Sequence, residues 1–239
     1  MSNNLVAEIT RQFNATIEHC ETFCFITRAI ELQKDAVRQI EPFLQQAEKA
    51  KGECVKDSDE DAANLIFGLQ LSIISLKEQL NMWIELKRDN PDKAWDHLIN
   101  AKTSAQAAMR AHKTRLTLQN YYNRLCVIEE IVFPPQVFAS AGFKVIKSNC
   151  SICNKGYGIC NHLVGMPYMG QMCTRIIEEA ELQEASIVKN PDDKRCRITS
   201  FSDNGKWRNR MTWRLTQEQE SAPERTAQMI VCSNIITDK

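Results

Sequence analysis

The sequence predicts an α+β protein: an N-terminal elongated three-helix, coiled-coil-like bundle over residues 1–132, followed by a small zinc-supported β domain over residues 133–239. Two observations favour this division. Glycine and proline are rare in the first part and concentrate in the second, and long helices tolerate neither residue well. A cysteine cluster lies in the second part, where a bound metal would replace the hydrophobic core that so short a segment cannot build.

Three helices are expected in the first part, because apolar residues recur there at helical spacing. The first starts near Val6, and Pro42 is expected to kink or restart it. The second follows the capping segment Ser58–Asp61 and carries a heptad repeat. The third starts at the cap Asn90–Asp92 and runs toward Glu130. Such a bundle is expected to present leftover apolar surface to a second copy or to a protein partner.

Composition limits the class of protein. The chain has 239 residues, of which 43% are hydrophobic and 25% charged, with a formal net charge of zero, as in ordinary globular proteins. No apolar run approaches the ~18 residues that a membrane span needs, and the start of the chain lacks signal-peptide features. We therefore expect a cytoplasmic protein without membrane contact, whose ten cysteines are thiols or metal ligands. Motifs for nucleotide binding and for zincin chemistry do not occur.

The cluster Cys150-x2-Cys153-x6-Cys160-x-His162 offers three thiolates and one imidazole within a short segment. This is the ligand set of a closed tetrahedral Zn²⁺ site, which leaves no position for water or substrate. The spacing therefore predicts structural zinc rather than a catalytic ion. Cys173 either replaces His162 as the fourth ligand or is a buried thiol, since free cysteines often act as small hydrophobic residues.

A β-hairpin is predicted around the turn Asn204-Gly205, a strong signal for a two-residue loop. In that register Ile198 lies opposite Met211 and Cys196 lies opposite Trp213. The other face of the two strands would then be mostly basic. Its residues are Arg195, Arg197, Thr199, Phe201, Arg208, Arg210, Thr212 and Arg214.

Five arginines on one face repel one another unless acidic groups meet them. Nucleic-acid phosphate is one candidate, since arginine binds phosphate bidentately and Phe201 can stack on a base. A protein carboxylate surface is another. A third possibility is that acidic residues of the same chain cover the arginines, such as Glu178, Glu179, Glu181 and Glu184. Further along, the apolar runs 229–232 and 235–236 predict a final strand.

The metal cluster is followed by Gly165, Tyr168, Gly170 and Cys173, and then by the run Glu184-Ala-Ser-Ile-Val188-x-Asn-Pro191. Residues 148–198 thereby resemble a cysteine-rich segment in uncharacterised proteins of phage and mobile-element origin. Their last part is similar to a strand in the prohead maturation proteases of tailed phages. The resemblance implies a bacterial or phage setting, such as host–phage conflict.

Together these patterns predict a non-catalytic binding or adaptor protein. Its helical bundle would serve self-association or a protein partner, and its basic hairpin would meet an acidic partner. The alternative is a phage-type serine hydrolase with Ser186 as nucleophile. That chemistry needs an adjacent base, and the nearest histidine in sequence, His162, is required by the metal.

Overall fold

A computed structural model describes residues 2–113 and 118–216 of the chain. It confirms the α+β class. The described helices are α1 Ser2–Glu21, α2 Ile30–Lys56, α3 Glu60–Lys87, α4 Pro91–Ala111 and α5 Gln119–Val132. The strands are β1 Phe138–Cys150, β2 Pro167–Tyr168, β3 Gln171–Met172, β4 Arg175–Val188, β5 Ser200–Asp203 and β6 Lys206–Asn209. The strand predicted over 229–236 lies outside the described residues.

The prediction of three helices is wrong in number and boundaries, because the described residues of this region form five helices. Pro42 lies inside α2 and does not end it, because Ile40 and Phe43 on either side are buried and their packing offsets the lost backbone hydrogen bond. The chain breaks earlier, over residues 22–29, where the buried Gln33 amide donates to the carbonyls of Phe23 and Phe25. The expected third helix is two helices, since α4 ends at Ala111.

Helix α3 is the centre of the bundle and packs against α1, α2 and α4. Its predicted start is confirmed: Asp59 is the N-cap, and its side chain accepts a hydrogen bond from the Ala62 N–H at 3.1 Å. Ile66, Ile73 and Leu80 have no exposed surface, so successive turns of α3 contribute to the core. This helix provides the rigid surface on which the second part of the chain rests.

A second hydrophobic cluster joins the helices to the strands. Trp95 of α4 packs edge-on against Phe133, with ring centroids 5.3 Å apart, and lies 6.1 Å from the ring of Phe138 at the start of β1. The Trp95 indole N–H donates to the Lys194 carbonyl at 2.8 Å. Val188, the last residue of β4, packs on the same cluster. The domain boundary at residue 132 stays a prediction, and this hydrophobic cluster contains residues from both sides of that boundary.

A buried ion triad supports the same junction. Glu129 of α5 accepts hydrogen bonds from Lys102 of α4 and from Lys194. Burial alone would raise the pKa of Glu129, but the two ammonium groups lower it below its usual value. The carboxylate therefore stays ionised at neutral pH and holds three segments together.

Strands β1 and β4 form a long antiparallel ribbon, from the pair Phe138–Val188 to the pair Cys150–Arg175. The register shifts after Gly142 and again between Val145 and Ser148. Within the described residues no further strand of the sheet flanks the ribbon, apart from single bridges at Phe138 and Asn149. Pairs β2–β3 and β5–β6 are small separate hairpins.

Replacing Trp95 by alanine should lower the free energy of unfolding by about 3–5 kcal/mol, the cost typical of emptying a buried tryptophan site. The variant also leaves the Lys194 carbonyl without its donor. Chemical denaturation followed by circular dichroism measures the change. Trp207→Ala is the matched control, because Trp207 is 41% exposed and should cost about 1 kcal/mol or less. Equal losses in the two variants would contradict the junction described above.

Candidate metal centre and the strands it joins

The four cluster residues predicted from the sequence come together in space. The ligand atoms of Cys150, Cys153, Cys160 and His162 all lie within 4.8 Å of one another. Cys150 is fully buried, and the other three are partly buried. Three thiols and one imidazole can hold a metal ion that prefers sulfur and nitrogen donors.

The backbone around Cys150 and Cys153 forms a tight knuckle. The Ile152 N–H points at the Cys150 sulfur, 3.4 Å away, and the Asn154 N–H donates to the Cys150 carbonyl at 2.9 Å. Asn154 and Gly158 have positive φ angles of 57° and 98°, conformations that asparagine and glycine tolerate best. The glycine at position 158 thus allows the loop to turn back toward Cys160 and His162 without strain.

The electrostatics of the knuckle favour a thiolate. Burial alone would raise the pKa of the Cys150 thiol, but hydrogen bonds from the backbone N–H groups of Cys153 and Ile152 lower that pKa to about 6. A thiolate is the form that binds metal. In addition, the buried Nδ1 of His162 has no hydrogen-bond partner among the described residues, so one imidazole nitrogen is left for a ligand. These donors fit a soft divalent cation.

Cys173 also belongs to this region. Its sulfur lies 3.8 Å from the sulfur of Cys150, and the residue has no exposed surface. Burial, together with the neighbouring Cys150, raises the pKa of the Cys173 thiol to about 11. The sequence left open whether Cys173 is a ligand or a buried thiol, and the structure places it beside the cluster.

The segment between the cluster and Cys173 rests on α3. The Gly170 N–H donates to the Asn64 side chain at 2.8 Å, and the Met169 N–H donates to Glu60 at 3.3 Å. Gly170 has a φ of +74°, and a side chain there would approach the Ala63 carbonyl to 3.3 Å. Only glycine allows this close contact without strain. No local pattern in the sequence predicts this contact, because its two sides are 106 positions apart along the chain.

The ribbon is therefore held at both ends. Its base lies in the core with Phe138 and Val188, and its far end runs into the metal cluster through Cys150. Between these ends β4 is exposed from Arg175 to Ile187. A single strand, β4, covers the whole of this segment.

Apolar side chains are exposed along this ribbon. Leu182 is 55% exposed and Ile187 is 74% exposed, and Phe143 and Ile146 of β1 are exposed as well. β4 also carries four glutamates. Glu178 pairs with Lys147 at 2.5 Å and Glu181 lies 3.9 Å from Lys144, while Glu179 and Glu184 form no ion pair with a described residue. The surface combines apolar and acidic groups.

The predicted hairpin forms, with Asn204 and Gly205 in the turn and four paired positions. The register is confirmed up to Asn209 and is wrong beyond it. The Asn209 side chain accepts hydrogen bonds from the N–H groups of Met211 and Thr212, which turns the chain away. The expected pairs of Ile198 with Met211 and of Cys196 with Trp213 therefore do not form.

Four of the five arginines are paired with aspartates of the same chain. Arg195 binds Asp193 and Arg208 binds Asp203, whereas Arg197 and Arg214 reach back to the turn between α3 and α4. The pairs are Arg195–Asp193 at 2.8 Å, Arg208–Asp203 at 3.0 Å, Arg197–Asp92 and Arg214–Asp89. Acidic residues of the same chain therefore pair with these arginines, as the third possibility held, but the acids are aspartates rather than the glutamates of β4, of which Glu178 and Glu181 face lysines of β1.

The remaining members of the predicted binding face are also engaged or enclosed. Arg210 forms no ion pair with a described residue, and its Nε is buried without a hydrogen-bond partner. The ring of Phe201 packs edge-on against Trp213, with centroids 5.1 Å apart. The Arg197 side chain is only 3% exposed. The structure thus joins most of these residues to the helices or to one another, while the Arg214 side chain stays 65% exposed.

Ser186 lies on the exposed strand β4, opposite Ser140 of β1. No hydrogen bond links it to a histidine among the described residues. The arrangement that would activate a serine nucleophile is absent from that part of the chain.

Compared with protein-family models, with curated proteins and with solved structures, the chain gives no match. The resemblance of residues 148–198 to phage-related segments stays a prediction. Within residues 2–113 and 118–216, no helix combines the length and apolarity needed to cross a membrane.

Gly170→Ala should destabilise the protein more than Gly165→Ala does. Both glycines have positive φ angles, +74° and +81°, so alanine costs roughly 1–2 kcal/mol at either site. At Gly170 the added methyl group also approaches Lys51 to 2.8 Å and Ala63 to 3.3 Å, whereas at Gly165 it meets nothing within 4 Å. Denaturant unfolding should show a further loss of about 1 kcal/mol for Gly170→Ala, the value of a broken hydrogen bond. Equal effects would mean that the contact with α3 contributes nothing.

Removal of the metal with a chelator should release the far end of the ribbon while the helices stay folded. Backbone amides at the Cys150 end of β1 and of residues 150–164 should exchange with deuterium faster by at least about tenfold, since few other contacts hold them. Amides of α3 and α4 should be unchanged. Mass spectrometry of peptides before and after chelation measures this difference. Unchanged exchange in the ribbon would show that the metal does not support it.

Proposed function

We propose that this chain is a non-catalytic protein-binding module in which structural zinc holds an exposed β ribbon in place for a protein partner. The observation that carries the proposal is the ribbon itself, which is fixed at both ends and exposed in between. Cys150, Cys153 and Cys160, completed by His162 or Cys173, would hold the zinc. Four protein donors leave no open position for a reacting water, which favours a structural role.

The composition of β4 indicates the chemistry of the partner. An isolated two-stranded ribbon is marginally stable, and unpaired strand edges are templates for a further strand. Leu182 and Ile187 supply apolar contacts, and Glu179 and Glu184 supply unpaired negative charge. An extended segment with apolar and basic side chains complements this surface by adding to the edge of β4.

The same charges disfavour pairing of β4 with a second copy of itself. An antiparallel β4–β4 contact would bring the glutamates at 178, 179, 181 and 184 close to one another, and like charges across strands are destabilising. A partner with lysine or arginine at alternate positions meets no such penalty. We therefore favour a different protein over a second copy at this surface.

The arginine pairs make nucleic acid the less favoured partner. Binding phosphate through Arg197 would require breaking its contact with Asp92 and moving a guanidinium whose side chain is only 3% exposed. Arg208 and Arg214 are more accessible, but each already neighbours an aspartate. The hairpin then serves to attach the β region to the turn between α3 and α4.

Site-specific photo-crosslinking in cells tests the proposal. A photoreactive amino acid at Leu182 should give a cross-linked protein, whereas the same residue at Ile131, which is 78% exposed on α5, should not give that product. Glu179→Lys with Glu184→Lys should reduce the Leu182 product by about tenfold, since each lost charge contact contributes up to about 1 kcal/mol. The cross-linked peptide, identified by mass spectrometry, should be a basic and apolar segment.

Glu18→Lys with Glu53→Lys is the matched control, because both glutamates are exposed on helices and form no ion pair with a described residue. This control should leave the product unchanged. A product that contains only a second copy of the chain would replace the proposal with self-association. A product lost after nuclease treatment would favour nucleic acid, and no product at Leu182 would exclude the ribbon as a docking site.

A further inference from the structure

We infer that Cys173 is a ligand of the metal, that it completes a set of four thiolates with Cys150, Cys153 and Cys160, and that His162 is the donor that can be lost. The inference rests on the proposed zinc site and assigns its fourth position. The region offers five donors, whereas structural zinc is almost always four-coordinate. One donor is therefore in excess. Cys173 and His162 differ in the backbone contacts that hold each donor in place.

The first argument is distance. Zinc–sulfur bonds of about 2.3 Å in a tetrahedron place two ligand sulfurs about 3.8 Å apart. The sulfurs of Cys150 and Cys173 are 3.8 Å apart. The Cys150 and Cys173 sulfurs thus already have the spacing of two ligands of one ion.

The second argument is the backbone that carries each donor. The Cys173 N–H donates to the Met166 carbonyl, and the Cys173 carbonyl accepts from the Gly165 N–H, both at 2.9 Å. Cys173 also follows the segment that Gly170 fixes on α3, and next to it the Ser151 N–H donates to the Thr174 carbonyl at 3.1 Å. Its thiol is therefore held in place before any ion arrives, which lowers the entropy cost of coordination.

His162 lies in a less supported loop. Its neighbours Ile159 and Leu163 are 81% and 62% exposed, and its ring packs edge-on against Tyr168, with centroids 4.6 Å apart. Loss of this imidazole removes a donor that lies within 4.8 Å of the three sulfurs but whose loop has few other contacts. Loss of Cys173 removes a fully buried sulfur at ligand spacing.

The competing explanation is that Cys173 is a neutral thiol that shares a weak S–H···S contact with Cys150. In that case His162 is the fourth ligand. The two explanations predict opposite outcomes for single substitutions.

The experiment compares full-length wild type with His162→Ala, Cys173→Ala and the double variant. Zinc per chain is measured after dialysis against a competing chelator, and Co²⁺-substituted protein is examined by absorption spectroscopy. His162→Ala should keep its zinc and the wild-type cobalt spectrum, with four thiolate ligands. Cys173→Ala should bind zinc on the order of 100-fold more weakly. Even substitution of residues that only hydrogen-bond to metal ligands weakens metal affinity by up to about that factor. Its thiolate-to-cobalt absorption should decrease in proportion to the thiolates that remain.

The double variant should retain no zinc, and Cys126→Ser, which changes a thiol of α5 outside the centre, should behave as wild type. Zinc loss in His162→Ala with a wild-type spectrum in Cys173→Ala would overturn the inference and leave the zinc site intact. Zinc loss in both single variants would also overturn it, because neither donor would then be replaceable. A wild-type protein without zinc would instead refute the proposed function at its first step.

Discussion

A two-stranded ribbon has too little hydrogen bonding and too little buried surface to be stable by itself, and this constraint explains the arrangement of the whole second part. The base of the β1–β4 ribbon is fixed by Phe138 in the core around Trp95. Its far end is fixed by the knuckle at Cys150 and by the contact of Gly170 with α3. The helical bundle thus acts as a support, and a metal bound by the proposed ligands would let a short, loop-rich segment complete that support without a hydrophobic core of its own.

The arginine pairs have a related role. Arg197 and Arg214 extend from the small hairpin to aspartates at the turn between α3 and α4, and the buried triad around Glu129 joins α4 and α5 to residue 194. These contacts sit beside the Trp95 cluster, so apolar packing and charge pairing act at the same junction. The Lys102–Glu129 pair, in which both charges lose most of their hydration, adds specificity of arrangement more than net stability. The junction therefore fixes orientation, which a surface presented to a partner requires.

The sequence predicts those features whose causes are local. The glycine and proline distribution predicted the α+β class, Asp59 lies in the predicted cap, and Asn204-Gly205 forms the predicted turn. The spacing of Cys150, Cys153, Cys160 and His162 predicted their assembly. The features that were missed depend on groups distant in sequence or on single side chains. Gln33 stabilises the break before α2, Asn209 ends the hairpin early, and Asp92 receives Arg197 from 105 positions further along the chain. Neither the periodicity of apolar residues nor the spacing of motifs in the sequence predicts these contacts.

The position of the knuckle between β1 and β4 also has a consequence for the order of folding. Joining Phe138 to Val188 directly closes a long loop, whereas joining Cys150 to Arg175 closes a much shorter one at a lower entropy cost. A metal ion that gathers its ligands first brings the strands together at that end, and each further pair then forms beside an existing one. With a metal bound at the cluster, the ribbon would thus form from the Cys150 end toward the helical core. The far end of the ribbon would then be the first part of it to acquire structure.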